Sequence, residues 1–205
     1  EASTSTRDAM AETAIEHSGI MEKYELKVPY VFYPAQFWAH KNHIYLLEGL
    51  KALETKYEIG IGAIFAGGDK GNARYVQNYA EDLGLSDRVL FAGFVRNDEI
   101  PILYKNAIAL VMPTYFGPTN LPPLEAFGLG VPVLYPDKAG LREQVEGAAL
   151  LMDLTNPESM ADHLAALLRD PGLRERLVNS GKEKLQQIGD GGRMEVMRQI
   201  IEQFR

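Results

Sequence analysis

The alternation of short, wholly apolar runs with longer helical stretches constrains this chain more than any other feature of its sequence. Residues 28–33 are β-branched and aromatic, and the pattern then changes to an apolar stripe at helical spacing through Ile44, Leu46, Leu47, Leu50 and Leu53. A second apolar run, 59–66, closes on Gly67, Gly68 and Asp69, and a polar helix is expected over 73–83. Further strands are expected at 88–92, 107–112, 131–135 and 148–152, with helices at 98–106, 121–129, 157–169, 173–187 and 193–204. Strands that are apolar on both faces belong to a parallel sheet covered on both sides. Right-handed crossovers between such strands make a doubly wound domain. The expected fold class is therefore α/β, a Rossmann-like parallel sheet of about six strands.

This domain is expected to occupy residues 28–190. Residues 1–27 carry Ser/Thr-rich capping signals and one helical stretch, 7–17, but no strand, and are expected to be a linker or the remnant of an upstream domain. In residues 191–205, Met194, Met197, Ile201 and Phe204 recur at helical spacing. That last helix has two readings open to it: docking on the domain's own core, or leaning on a partner domain.

Composition removes several function classes. The formal net charge of −7 argues against nucleic acid or an anionic membrane as a partner reached by bulk electrostatics, and leaves room for a local phosphate pocket. The absence of cysteine excludes disulfides, thiolate zinc sites and cysteine nucleophiles. No run is long and apolar enough to span a bilayer, and the polar opening residues do not form a signal peptide, so a cytoplasmic protein is expected.

In an open parallel sheet, ligands bind beyond the carboxyl ends of the strands. That rule selects the loops at 34–40, 67–71, 93–96, 113–120 and 136–140. The most informative stretch is Pro113-Thr-Tyr-Phe-Gly-Pro-Thr-Asn-Leu-Pro-Pro-Leu-Glu125-Ala, which leaves a strand and enters a helix. Thr119 or Asn120 is expected to cap that helix, with Pro122 and Pro123 in its first turn, where a missing N–H costs little. Its free N–H groups would face the crevice and suit an anion. Glu125, one turn in, is placed to accept hydrogen bonds from a ribose diol; a glutamate that merely favours the helix dipole is the plainer alternative.

This stretch resembles the donor-site signature of the group 1 glycosyltransferases (family 4 in the usual classification). Their pattern runs roughly Pro-Ser-x-x-Glu-Gly-Phe-Gly-Leu-Pro-x-x-Glu-Ala, then a small-residue turn and Pro-Val. The matching residues here are Leu121-Pro122-Pro123-Leu124-Glu125-Ala126 and Gly128-Leu129-Gly130-Val131-Pro132-Val133. The segment from Pro34 through Phe37, Trp38 and His40 to Lys41 and Asn42 is similar to the family's first loop with its phosphate-binding lysine. Phe65-Ala-Gly-Gly68 is similar to its second-strand ending, and Val89-Leu-Phe-Ala-Gly93-Phe-Val95 to its base-binding loop. The likeness covers roughly residues 28–190, in order and in register.

The resemblance implies the C-terminal, donor-binding half of a GT-B fold, in an enzyme that transfers a hexose from a nucleoside diphosphate sugar to a saccharide or glycan acceptor with retention. It implies no bound metal and no cofactor beyond that donor. Lys41 would neutralise the diphosphate, helped by the N–H groups of Asn120 and Leu121, and Glu125 would hold the ribose; Lys41 and Glu125 are thus the candidate catalytic residues. The main chain at Phe94 and Val95 would meet the base, and Gly68 would allow close approach. The other half of the GT-B fold would be a missing N-terminal Rossmann-like domain carrying the acceptor site, and the chain alone would not transfer sugar. That half could also make the protein peripheral to a membrane.

Two positions depart from the family. Gly117 stands where the family has an earlier glutamate that contacts the donor sugar, so Thr119, Asn120 or main-chain amides would take that role. Gln36 stands where the family's first loop has an arginine. From the variant stretch 116–120, mannose from a GDP donor in polysaccharide biosynthesis is the expected chemistry. Two other functions stay open: another GT-B enzyme such as an epimerase or phosphorylase, and a non-catalytic nucleotide-sugar-binding module.

Of the remaining polar residues, His40 and His43 are three apart at a helix start, a spacing that could bind metal, but no third ligand is evident nearby, so solvent or phosphate contact is expected. Phe37 and Trp38 read as loop packing or as a wall of the crevice. Asp137 and Arg142 read as cleft lining or as surface charge. Arg174, Glu175 and Arg176 read as a solvated helix face.

Overall fold

The computed structural model describes residues 23–24, 28–117 and 120–188. The stretch 7–17, Thr119 and the expected helix at 193–204 lie outside the described residues. The strands are β1 (Tyr30–Pro34), β2 (Gly62–Ala66), β3 (Val89–Gly93), β4 (Leu110–Val111), β5 (Val133–Pro136) and β6 (Leu150–Met152). Among the described residues they form one six-stranded sheet in the order β3-β2-β1-β4-β5-β6, parallel throughout. The helices are α1 (His43–Tyr57), α2 (Ala73–Asp82), α3 (Ile100–Asn106), α4 (Pro122–Leu129), α5 (Arg142–Val145), α6 (Pro157–Arg169) and α7 (Pro171–Gln187). This is the Rossmann-like α/β fold that the alternation of apolar runs predicts.

The central strands explain why the pattern was so plain. Val31, Phe32 and Tyr33 of β1, Ala63, Ile64 and Phe65 of β2, and Leu110 and Val111 of β4 are buried on both faces. α1 packs against α6 and α4 against α7. The stripe expected on α1 is buried through Leu46, Leu47, Leu50 and Leu53, with Tyr45 added. The Tyr45 hydroxyl donates to the Asp153 carbonyl at 2.9 Å, tying α1 to the loop after β6.

Several boundaries differ from expectation, each for a local reason. β4 is two residues long because Ala107 still turns back on α3, its N–H meeting the Tyr104 carbonyl at 3.0 Å. The single-turn helix α5 is too short to show a period. The packed domain also reaches back before residue 28. Tyr24 is buried, and its hydroxyl and the Lys23 ammonium donate to Glu99 at 2.7 and 2.9 Å. Arg174 is not part of a solvated face: its guanidinium donates to the Ile108 carbonyl at 2.7 Å and so closes the entry to β4. Asp137 and Arg142 form a half-exposed ion pair at 2.7 Å.

Candidate functional site

The strand order reverses between β1 and β4, so the crevice for a ligand opens where the loops after these two strands part. Those loops do not stand alone. The Tyr115 N–H donates to the His40 carbonyl at 2.9 Å, the Phe37 N–H to the Gly68 carbonyl at 3.1 Å, and the Gly67 N–H to the Gly93 carbonyl at 2.7 Å. The Lys138 ammonium donates to the Tyr115 carbonyl at 2.9 Å. The loops after β3, β2, β1, β4 and β5 are thereby stitched into one rim. Gly67 is required for this closeness: a Cβ there would lie 2.3 Å from the Ala35 carbonyl oxygen. Gly68 faces open space, so its main chain is accessible to a ligand. Exposed large apolar side chains gather on the same rim: Trp38, Phe94, Tyr115, Phe116 and Leu121.

Lys41 ends a 3₁₀ turn, Ala39–Lys41, on the β1 lip. It is half-buried, and burial lowers its pKa. Among the described residues no carboxylate pairs with its ammonium, although the chain as a whole is acidic. A partly desolvated, unpaired cation is poised for an incoming anion. Its carbonyl accepts from the Tyr33 hydroxyl at 2.9 Å, which holds the turn on the core.

On the other lip, α4 begins with its cap at Leu121, not at Asn120. The expected Asn120 cap fails for a physical reason. A capping side chain accepts from the second or third helical N–H, and with Asn120 as the cap those positions would be Pro122 and Pro123, which have none. The Asn120 side chain instead turns inward. It is buried, and its amide donates to the Tyr135 hydroxyl and, at 3.3 Å, to the Gly117 carbonyl. The main-chain N–H groups of Asn120 and Leu121 find no acceptor among the described residues. A Cβ at Gly117 would lie 2.2 Å from Asn120 Oδ1, so Gly117 and the inward Asn120 form a matched pair.

Glu125 is exposed, one turn into α4, and its Oε2 accepts from the Tyr104 hydroxyl at 3.0 Å. Phe94 is 85% exposed beyond Gly93, while the Val95 side chain is buried, leaving its main chain in the β3 loop. Gln36 is exposed, and its side-chain oxygen accepts from Trp38 Nε1 at 3.1 Å. The structure therefore sets Lys41 and Gln36 on the β1 lip, Asn120, Leu121 and Glu125 on the β4 lip, and Gly68, Phe94 and Val95 on the adjoining loops. Among the described residues, no three acidic or histidine side chains converge as a metal site. No helix among them is long and apolar enough to cross a membrane.

The family profile described as "Glycosyl transferases group 1" matches residues 20–184. The chain belongs to the group 1 glycosyltransferases. O-antigen chain mannosyltransferase B of Escherichia coli is 25% identical over 170 residues, covering 82% of this chain and 45% of that protein. O-antigen chain mannosyltransferase RfbU of Salmonella typhimurium is 27% identical over 166 residues, covering 81% and 46%. The chain thus spans less than half the length of these curated relatives. Among solved structures, Anabaena HepE in complex with UDP superposes with a TM-score of 0.71 at 19% identity, over 85% of this chain and 51% of that one. The C-terminal domain of the group 1 protein LpcC from Francisella tularensis superposes with a TM-score of 0.66 at 22% identity, over 78% and 87%. The sheet and helices described above are thus one Rossmann-like half of the GT-B fold.

In this group 1 domain the histidines part company. His43 is closed off from solvent, contrary to expectation. It is fully buried, stacked on Phe37 with centroids 4.4 Å apart, and flanked by Tyr33 and Phe65. Neither ring nitrogen reaches a hydrogen-bond partner. Burial, reinforced by the Lys41 charge, lowers its pKa from 6.5 to about 3. His40 stays on the rim, where its ring stacks on Phe116 at 4.3 Å and ties the β1 and β4 lips together. Of the doubtful aromatic pair, Phe37 is core and Trp38 is half-exposed on the rim.

A pH dependence follows from His43. Between pH 6.5 and 3 the unfolded chain takes up a proton that the folded chain excludes. The contribution of the neutral, buried ring is therefore complete above 6.5 and is lost as pH falls. From pH 7 to pH 5 the loss is about 2 kcal/mol. Urea unfolding at the two pH values should show that loss in the parent chain and a correspondingly smaller one in His43→Phe; equal losses in both would remove His43 as the cause.

Proposed function

We propose that the chain is the donor-binding half of a retaining glycosyltransferase and holds a nucleoside diphosphate sugar across the β1/β4 crevice. What supports this reading is the half-buried Lys41, whose ammonium pairs with no carboxylate among the described residues, on the lip opposite the uncapped start of α4. A diphosphate supplies the charge that both lack, and as a leaving group it is stabilised by fixed cations and N–H dipoles already in place. Glu125 takes the ribose diol, and the main chain beyond Gly93 takes the base. A hexose is the transferred group, and mannose is the sugar that the names of the two O-antigen relatives favour. The acceptor saccharide binds on the opposing half of the GT-B fold, the N-terminal Rossmann-like domain.

A second reading, a nucleotide-sugar-binding module without transfer, has one observation in its favour. The Gly117 position carries no side chain for the sugar, and Asn120 fills the space such a side chain would need. Calorimetric titration of the chain with UDP, GDP and ADP, without added metal, tests the shared part of both readings. One nucleotide is expected to bind more tightly than the other two; a folded chain that binds none of the three refutes both.

A further inference from the structure

The buried face of α3 carries a feature that its role in the core leaves unexplained. Tyr104 has no solvent exposure, and its ring packs edge-on against Phe32 of β1, with centroids 4.8 Å apart and planes at 86°. That packing needs only a phenyl ring. The hydroxyl does something further: it emerges from the core beneath α4 and donates to Oε2 of the exposed Glu125 at 3.0 Å. The Pro122 carbonyl, at 3.4 Å, is the more distant and the weaker acceptor, because hydrogen bonds to an ionised oxygen are shorter and stronger than neutral ones. Among the described residues, Glu125 Oε1 has no partner.

We infer that Tyr104 is a positioning residue for ribose recognition, anchoring Glu125 through Oε2 so that Oε1 and the second lone pair of Oε2 face the crevice. An exposed glutamate on a helix samples several rotamers, and fixing it at the moment of binding costs free energy. A phenol delivered by the rigid core removes one oxygen from that search before the ligand arrives. A carboxylate offers two acceptor sites on each oxygen, so the anchor leaves enough for both hydroxyls of a cis diol. Burial, together with the Glu125 charge and hydrogen bond, raises the Tyr104 pKa, so the hydroxyl remains a donor at neutral pH. The inference rests on the proposal that Glu125 holds the ribose.

The test compares the affinity of the chain for whichever of UDP, GDP or ADP binds best with its affinity for the matching 2′,3′-dideoxy nucleotide. The ratio of the two dissociation constants reports the diol interaction alone and is unaffected by a general loss of stability in a folded variant. Tyr104→Phe keeps the ring on Phe32 and removes only the hydroxyl. It is expected to reduce the ratio about three- to tenfold, with Glu125→Ala reducing it further. A ratio unchanged in Tyr104→Phe but collapsed in Glu125→Ala overturns the anchoring role and leaves the ribose assignment standing. A ratio unchanged in both, or no nucleotide binding at all, overturns the two together.

Discussion

Lys41→Ala is expected to weaken nucleoside diphosphate binding by roughly ten- to a hundredfold, the range for losing a hydrogen bond to a charged group, while leaving affinity for the free nucleoside unchanged. The contrast between the two ligands matters more than the size of the loss. Lys41 is half-buried beside the buried His43, so a disturbed loop would weaken both ligands alike. Calorimetry of parent and variant with the diphosphate and with the nucleoside separates these outcomes, and equal weakening of both would mean that Lys41 shapes the loop without meeting the phosphates. In a transfer assay on a protein carrying both halves of the GT-B fold, the same substitution is expected to lower the rate by about 100- to 1000-fold, as removal of one preorganised electrostatic stabiliser does. Gln36 stands where the family's first loop has an arginine, so the β1 lip supplies no guanidinium at that position to share the load with Lys41.

Glu125→Ala is the complementary experiment. It should cost roughly ten- to a hundredfold in affinity for the ribonucleotide and little for the 2′,3′-dideoxy analogue, which has no diol to lose. The side chain is exposed and, apart from Tyr104, has no partner among the described residues, so the folded domain is expected to survive the change. Equal loss for both nucleotides would show that the carboxylate serves the helix and not the sugar. On the proposed function the two substitutions act on opposite lips of one crevice and on different parts of one ligand. Their effects on the diphosphate should therefore be close to additive, with any departure measuring how far the ligand couples the lips.

The fold was legible because burial on both faces leaves an unmistakable mark: Val31–Tyr33 and Ala63–Phe65 are apolar without interruption, and only a covered parallel strand tolerates that. The loops of the crevice followed from topology alone. What the sequence hid was direction. An asparagine before two prolines reads as a helix cap, and only the positions of Tyr135 and Gly117 reveal that Asn120 turns inward. His43 follows a lysine and an asparagine and so reads as polar surface, yet three aromatic rings from β1, β2 and the following loop enclose it. Tyr104 is hidden for the opposite reason. In the run Ile100-Pro-Ile-Leu-Tyr104 it reads as one more core residue, which its ring is, and nothing local shows that its hydroxyl surfaces under another helix. Residues three apart on one strand or helix can be placed from a pattern; a hydrogen bond across 21 positions cannot.

The seams between the rim loops are written almost entirely in backbone. Tyr115 to His40, Phe37 to Gly68 and Gly67 to Gly93 are all amide-to-carbonyl bonds, indifferent to which side chains the residues carry. These parts of the rim can therefore keep their shape while their side chains drift, save at Gly67, where any side chain would press on the next loop; the seam to the loop after β5 depends on the Lys138 side chain. The frame of the crevice is thus set apart from the side chains that would meet a ligand, and the second can be changed while the first stands.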